Sequence, residues 1–400
     1  MPRSLRIHAL IAAATLVGLL AARELAPLLP DHGISRFLSH AVAESAGRDV
    51  RRHQTGGYYE WLLQGRSHRP GLILMSLLRR QRANQTDTFD AYERGGFLRY
   101  KLKPNVSSVD SEEGAIITNR YGLLDGDYSL EKPANTRRVV WLGSSMDAGW
   151  NTPLQQRFES RFEDAMNRTT RAELGENFEV LNFSESGYRL TQRYYVALEE
   201  TPAFHPDAYV ISLSELDLLQ TWSDHLAQLI SKGEDLKYDL FRRTVAASGA
   251  VKSDPWDVVT AKLQPYRLPL LRSMLASLKQ HADQQSASLI VVIVPAAEDT
   301  ELVQVHFAEI REIVEKLGIP VVDLTDTFQG IRDVETMRFA WYDAHPNAAA
   351  HAMLAENLYR KLRQTPAAWQ ALVGPTAAPA DDKSALRAFQ RPTFPAGDWN

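Results

Sequence analysis

The chain has 400 residues, a formal net charge of −4 at pH 7 and no cysteine. So small a charge leaves no electrostatic footprint for a nucleic-acid partner. Without cysteine there can be no disulfide, thiol nucleophile or cysteine-based zinc site, and such a composition suits an oxidising compartment.

Arg3, Arg6 and His8 precede an apolar run, Ala9 to Ala22, which Arg23 and Glu24 end. A basic start and an apolar stretch of this length read as a signal peptide or signal anchor over residues 1–32. The run is shorter than the roughly 20 apolar residues of a full span. Arginine on its N-terminal side predicts export of the rest of the chain, to a periplasmic location or one held at the inner membrane by this segment. The competing reading is a buried amphipathic helix. Residues 33–105 read as a small helical region, with apolar pieces at Tyr58–Leu63 and Gly71–Leu78. Next comes a loop-like stretch containing Thr118-Asn119-Arg120-Tyr121-Gly122, whose Asn and Gly predict a fixed turn.

Alternation begins at Arg138. Strand-like runs are Arg138–Leu142, Phe178–Phe183, Ala208–Leu213, Leu289–Val294 and Pro320–Leu324. Helix-like runs fall near Leu154–Asn167, Thr191–Thr201, Arg267–His281, Leu302–Leu317 and Ala348–Leu362. This pattern predicts an α/β fold with one mostly parallel five-stranded sheet covered on both faces, over residues 106–365. Ligands of such sheets lie at the carboxyl ends of the strands. Residues 222–263 read as an insertion or lid, and 366–400 as a flexible tail.

That carboxyl edge brings three loops together, at Ser145, Ser184–Tyr188 and Ser212–Asp217; the first two, with a stretch just before the last helix, carry the candidate chemistry. Gly143-Ser144-Ser145 comes after the first strand and leads toward a helix. A serine there can be a nucleophile, with nearby backbone N–H groups facing an oxyanion. It can equally be a tight turn whose serines cap a helix. Asn182-Phe183-Ser184-Glu185-Ser186-Gly187-Tyr188 ends the second strand, and its glycine lets a backbone N–H approach a bound oxygen. Asp343-Ala344-His345-Pro346-Asn347 precedes the last helix, and a carboxylate near a histidine can orient the imidazole to take a serine proton.

Taken together, these stretches resemble the SGNH (GDSL) hydrolases. Gly143-Ser144-Ser145-Met146-Asp147-Ala148-Gly149 resembles the first block, usually Gly-Asp-Ser-x-(Thr/Ser)-x-Gly, and Asn182 to Tyr188 the second. Asp343 to His351 resembles the last block, and Asn119 to Gly122 a segment that precedes the first block in many exported bacterial members. The resemblance implies a three-layer α/β/α sandwich and acyl-ester chemistry without a cofactor. It implies Ser145 as nucleophile, His345 as base and then acid, Asp343 orienting His345, and the N–H groups of Ser145 and Gly187 as oxyanion donors. Tyr188 and Trp150 are expected beside the substrate, with Ser214 as a substitute polar group.

The chain also departs from the family pattern. Ser144 stands where the first block has Asp. Leu216 stands where the third block, Gly-x-Asn-Asp, has its oxyanion Asn. The Asp-x-His spacing resembles the branch that acetylates or deacetylates exported polysaccharides. The implied function is therefore a serine esterase or O-acyltransferase acting on acyl esters of cell-envelope carbohydrate. Leu216 motivates the alternative, a catalytically weak or inactive module that binds glycan or scaffolds an envelope complex. Asp147 is read as a helix cap, Glu185 as a solvated loop acid and His351 as a packing residue. No dense His/Asp cluster suggests a metal.

Overall fold

The computed structural model describes residues 91–374, except 111–113, 150–151, 170, 215–216, 218–219, 298–299 and 341–342. It opens with two antiparallel hairpins: β1 (Tyr92–Gly95) with β2 (Arg99–Leu102), and β3 (Ser107–Asp110) with β4 (Gly114–Ile117). The α/β core comes next: β5 (Thr136–Leu142), α1 (Ser145–Ala148), α2 (Phe158–Thr169), α3 (Arg171–Leu174), β6 (Asn177–Asn182), α4 (Leu190–Glu199) and β7 (Ala208–Leu213). Three helices, α5 (Asp224–Lys232), α6 (Asp239–Ser248) and α7 (Trp256–Leu263), precede α8 (Arg267–Gln284), β8 (Ser288–Ile293), α9 (Thr300–Lys316) and β9 (Val321–Asp323). A third hairpin, β10 (Arg338–Ala340) and β11 (Asp343–Pro346), leads into α10 (Ala348–Gln364) and α11 (Pro366–Val373).

The main sheet has five parallel strands in the order β6-β5-β7-β8-β9. Side chains alternate between its two faces. Val139 and Trp141 join Phe158, Phe162, Leu354, Leu358 and Trp369 on one face. Val140 and Leu142 join Leu190, Tyr194, Leu271, Leu275 and Phe307 on the other. Burial on both faces explains why the strands are continuous apolar runs rather than alternating ones. Each large side chain fully buried in this way contributes about 1.5–3 kcal/mol of transfer free energy.

The chain leaves β5 toward the α2 face and β7 toward the α8 face. Adjacent strands whose connections diverge open a crevice at their carboxyl ends. The Gly143–Ser145 turn stands at that point.

Several boundaries differ from expectation. The described end of the expected helical region, 91–105, is the β1–β2 hairpin, because Gly95 (φ 116°) and Gly96 (φ 60°) supply its turn. The rest of that region, and the export segment at 1–32, lie outside the described residues. The insertion at 222–263 is helical and fixed into the core through Trp222, Leu226, Phe241 and Leu263. Residues 366–373, expected as tail, form α11, with Pro366 in its first turn and Trp369 and Leu372 fully buried. No helix among the described residues is long and apolar enough to cross a membrane.

The Asn119 turn is fixed as expected. Its Oδ1 accepts from the N–H groups of Tyr121 (2.9 Å) and Leu123 (3.0 Å), and its Nδ2 donates to the Gly126 carbonyl (2.7 Å). Gly122 (φ 79°) is required there, since a Cβ would lie 2.4 Å from the Leu102 carbonyl oxygen.

Candidate active site

The Ser145 turn is held from below by Asp147. The Asp147 Oδ1 accepts from Trp141 Nε1 at 2.9 Å, and its Oδ2 accepts from the Ser144 N–H at 3.0 Å. Trp141 therefore ties β5 to the turn at its end. Burial raises the Asp147 pKa, and these two donors oppose the shift. Asn182 joins the second loop to the first: its Nδ2 donates to the Asp147 carbonyl (2.9 Å), and its Oδ1 accepts from the Ser184 N–H (3.0 Å). Ser145 is the first residue of α1, where a backbone N–H has no intrahelical acceptor.

His345 comes back to this turn on β11. Asn347 fixes the hairpin's exit. Its Oδ1 caps α10 by accepting from Ala349 and Ala350, and its Nδ2 donates to the Thr336 and Arg338 carbonyls. The His345 Nε2 lies 2.8 Å from the Ser145 Oγ across 200 residues of sequence. Both residues are buried, at 5% and 2% exposure. Burial lowers the His345 pKa to about 4, so the imidazole is neutral at pH 7. A neutral ring accepting the serine proton at Nε2 carries its own proton on Nδ1. Asp343 opens the same strand two residues earlier; its carboxylate, assigned to orient His345, lies outside the described residues.

Gly187 sits in a turn closed by the Tyr188 N–H on the Glu185 carbonyl (3.2 Å). Its φ is +80°, while Ser186 stays out of the positive-φ region. Glycine with that φ in the third position defines a type II turn. Among the described residues, the Gly187 N–H donates to none.

In the third loop, the Ser214 N–H donates to the Asp217 Oδ2 (2.9 Å), and the other Asp217 oxygen pairs with Arg193. Arg193 also donates to the Ser212 carbonyl, so a buried ion pair anchors the loop to α4. The Ser214 hydroxyl is buried with no partner among the described residues. Leu216 and Trp150 lie outside them.

Two expectations are corrected. Tyr188, expected beside substrate, is packed in the core, and its hydroxyl donates to the Tyr100 carbonyl (2.8 Å). Glu185, expected in solvent, is buried with its pKa raised to about 8, and its Oε1 accepts from the Ser186 N–H (2.8 Å). His351 packs as expected, stacked on Phe158 with its Nδ1 accepting the Phe158 N–H (3.2 Å). Sequence reasoning passed over Tyr100, whose hydroxyl donates to the Ser186 carbonyl. It lies before every family-like block, and its only sequence signal is the Gly-Gly hairpin pattern around it. Among the described residues no group of three or more His, Cys, Asp or Glu is placed to hold a metal.

No family model matches the sequence, and no curated protein matches it. The chain is similar to several solved structures. One is TesA, at 16% identity and TM-score 0.36, covering 57% of this chain and 99% of that one. Another is Axe2, an acetylxylan esterase from Geobacillus stearothermophilus, at 14% identity and TM-score 0.39, covering 56% and 94%. A third is the esterase EstA from Pseudoalteromonas sp., at 12% identity and TM-score 0.36, covering 57% and 97%.

Proposed function

We propose that this chain is a serine esterase or O-acyltransferase working through an acyl-enzyme on Ser145. The observation that carries this reading is the 2.8 Å contact between Ser145 Oγ and His345 Nε2, at the carboxyl edge of a parallel sheet. A buried serine hydroxyl meeting a neutral imidazole is the arrangement a nucleophile and its base require.

In the proposed reaction, Ser145 Oγ attacks the ester carbonyl carbon as its proton passes to His345 Nε2. The N–H groups of Ser145 and Gly187 receive the oxyanion. Collapse breaks the bond to the leaving alkoxide, which takes the proton from His345. Water or an acceptor hydroxyl then repeats the cycle and frees Ser145. Asp343 is proposed to hold the Nδ1–H of His345.

The substrate class proposed is an acyl ester on cell-envelope carbohydrate, supported by the family-like blocks and by the export-type segment at 1–32. Leu216 favours a second reading, a glycan-binding module without turnover. The Ser145–His345 contact favours the enzyme.

The test is acetate release from aryl acetates and acetylated oligosaccharides by the full chain and its Ser145→Ala variant. The expected result is turnover by the parent and a loss of at least about 10⁴-fold in the variant. Equal rates for the two would refute the assignment.

A further inference from the structure

We propose that Tyr100, on the N-terminal hairpin outside the α/β layers, is a positioning residue that aims the Gly187 N–H at the reacting carbonyl oxygen. The inference rests on the reading of Gly187 as an oxyanion donor.

The Tyr100 Oη donates to the Ser186 carbonyl at 2.6 Å. That carbonyl and the Gly187 N–H belong to one peptide unit. A trans peptide is planar, with its C=O and N–H pointing in opposite directions. Fixing one end therefore fixes the other. This unit is the central peptide of the type II turn from Glu185 to Tyr188. Type I and type II turns differ by a flip of that central peptide. The flipped form would turn the Ser186 carbonyl to where the Gly187 N–H now points, presenting a negative dipole to a developing oxyanion. The Tyr100 hydroxyl bonds only the unflipped form. A donor on the carbonyl also polarises the peptide and strengthens its N–H as a donor.

The fit between hydroxyl and turn works from both sides. A Cβ on residue 187 would lie 2.6 Å from the Tyr100 Oη, so only glycine allows the approach. Tyr100 is itself held: Tyr188 donates to its carbonyl at 2.8 Å, and the two rings lie 5.3 Å apart. The hairpin is tied down by Gln192, whose Nε2 donates to the Leu98 carbonyl (2.8 Å), and by His225, whose Nε2 donates to the Phe97 carbonyl (2.7 Å). The charged side chains acting on the phenol are Glu185 and Arg189. Burial and Glu185 raise its pKa well above the ordinary tyrosine value, so it remains a neutral donor. From the other side of the turn, the Ser186 N–H donates to the Glu185 Oε1. Residue 186 is thus gripped at both its N–H and its C=O.

The experiment compares Tyr100→Phe with the full parent chain in three measurements: kcat and KM on an aryl acetate, the affinity of an alkylboronic acid that forms a tetrahedral adduct on serine, and the Gly187 amide resonance. The expected result is a fall in kcat of about tenfold to a hundredfold, KM changed less than about twofold, and boronate affinity falling with kcat. The Gly187 amide resonance should shift, with the Gly122 and Gly143 amides unmoved. Parent-like kcat with an unmoved Gly187 amide overturns the proposal. A parent chain as inactive as Ser145→Ala would refute the esterase reading instead. The Gly187 amide would still judge Tyr100, since it reports the peptide's orientation without turnover: a shift supports the positioning role and an unmoved resonance overturns it.

Discussion

Replacing His345 with glutamine is expected to lower ester turnover by about 10⁴- to 10⁶-fold while leaving the fold intact. Glutamine is close to the imidazole in size and polarity, but it cannot take up the proton that leaves Ser145. His345 can, through the Nε2 lone pair that faces the Ser145 hydroxyl and that burial, by lowering the pKa to about 4, keeps unprotonated at pH 7. The same burial sets the pH dependence. The base must be neutral, so kcat/KM should hold through neutral pH and fall only below the ordinary histidine value of about 6.5. Stability carries the matching sign. Between about pH 6.5 and 4 the unfolded chain binds a proton at residue 345 that the folded chain refuses. His345 therefore makes the fold less stable as pH falls through that window. His345→Gln should remove this part of the acid sensitivity. Turnover above about a tenth of the parent rate, or an acid limb above pH 6.5, would contradict the assignment of His345 as the base.

The second large effect is expected at Gly143. A Cβ there would lie 2.1 Å from the Asp147 Cγ and 2.3 Å from its Oδ2, closer than real Cβ atoms come to anything. Asp147 cannot retreat, because its carboxyl is fully buried and holds Trp141 and Ser144. Gly143→Ala must therefore displace α1 and carry Ser145 away from His345. We expect a loss of about 2–4 kcal/mol in stability, from overpacking and a disturbed buried carboxyl, with turnover falling further than the unfolded fraction explains. Urea unfolding and turnover at a temperature where the variant is folded measure both. The double variant Gly143→Ala/Asp147→Gly should be more stable than the sum of the two single losses, since the second change removes the Asp147 Cβ (2.4 Å away) along with its carboxyl, and with them the clash. Simple additivity would contradict the steric explanation.

Much of this arrangement is legible in the sequence because it obeys short-range rules. Runs such as Ala208–Leu213 can be read as buried parallel strands because both faces are covered. Parallel order brings the ends of β5, β6 and β7 to one edge, so the loops at 143–145, 184–188 and 214–217 belong together before any contact is known. Long-range polar pairing leaves no period to read. Tyr100 meets Ser186 across 86 residues, and Arg193 meets Asp217 across 24. Glu185 reads as a solvated acid because carboxylates usually are. In the fold it is buried, and the next residue of its loop, Ser186, bonds Tyr100 of the N-terminal hairpin through its carbonyl. Tyr188 reads as a ligand-facing aromatic from its place beside Gly187, but after the positive φ of the glycine its side chain turns into the core. At the C-terminal end, the Ala and Pro content around 366–373 hides the buried Trp369 and Leu372 of a short helix.

The claim that Ser145 is an activated nucleophile is tested most directly by exposing the folded full chain to a fluorophosphonate probe and mapping the adduct by mass spectrometry. An activated Ser145 predicts a single phosphonylated peptide bearing that residue, with no adduct in Ser145→Ala and slow labelling in His345→Gln. A folded parent chain that takes no label, or an adduct that persists in Ser145→Ala, would contradict it.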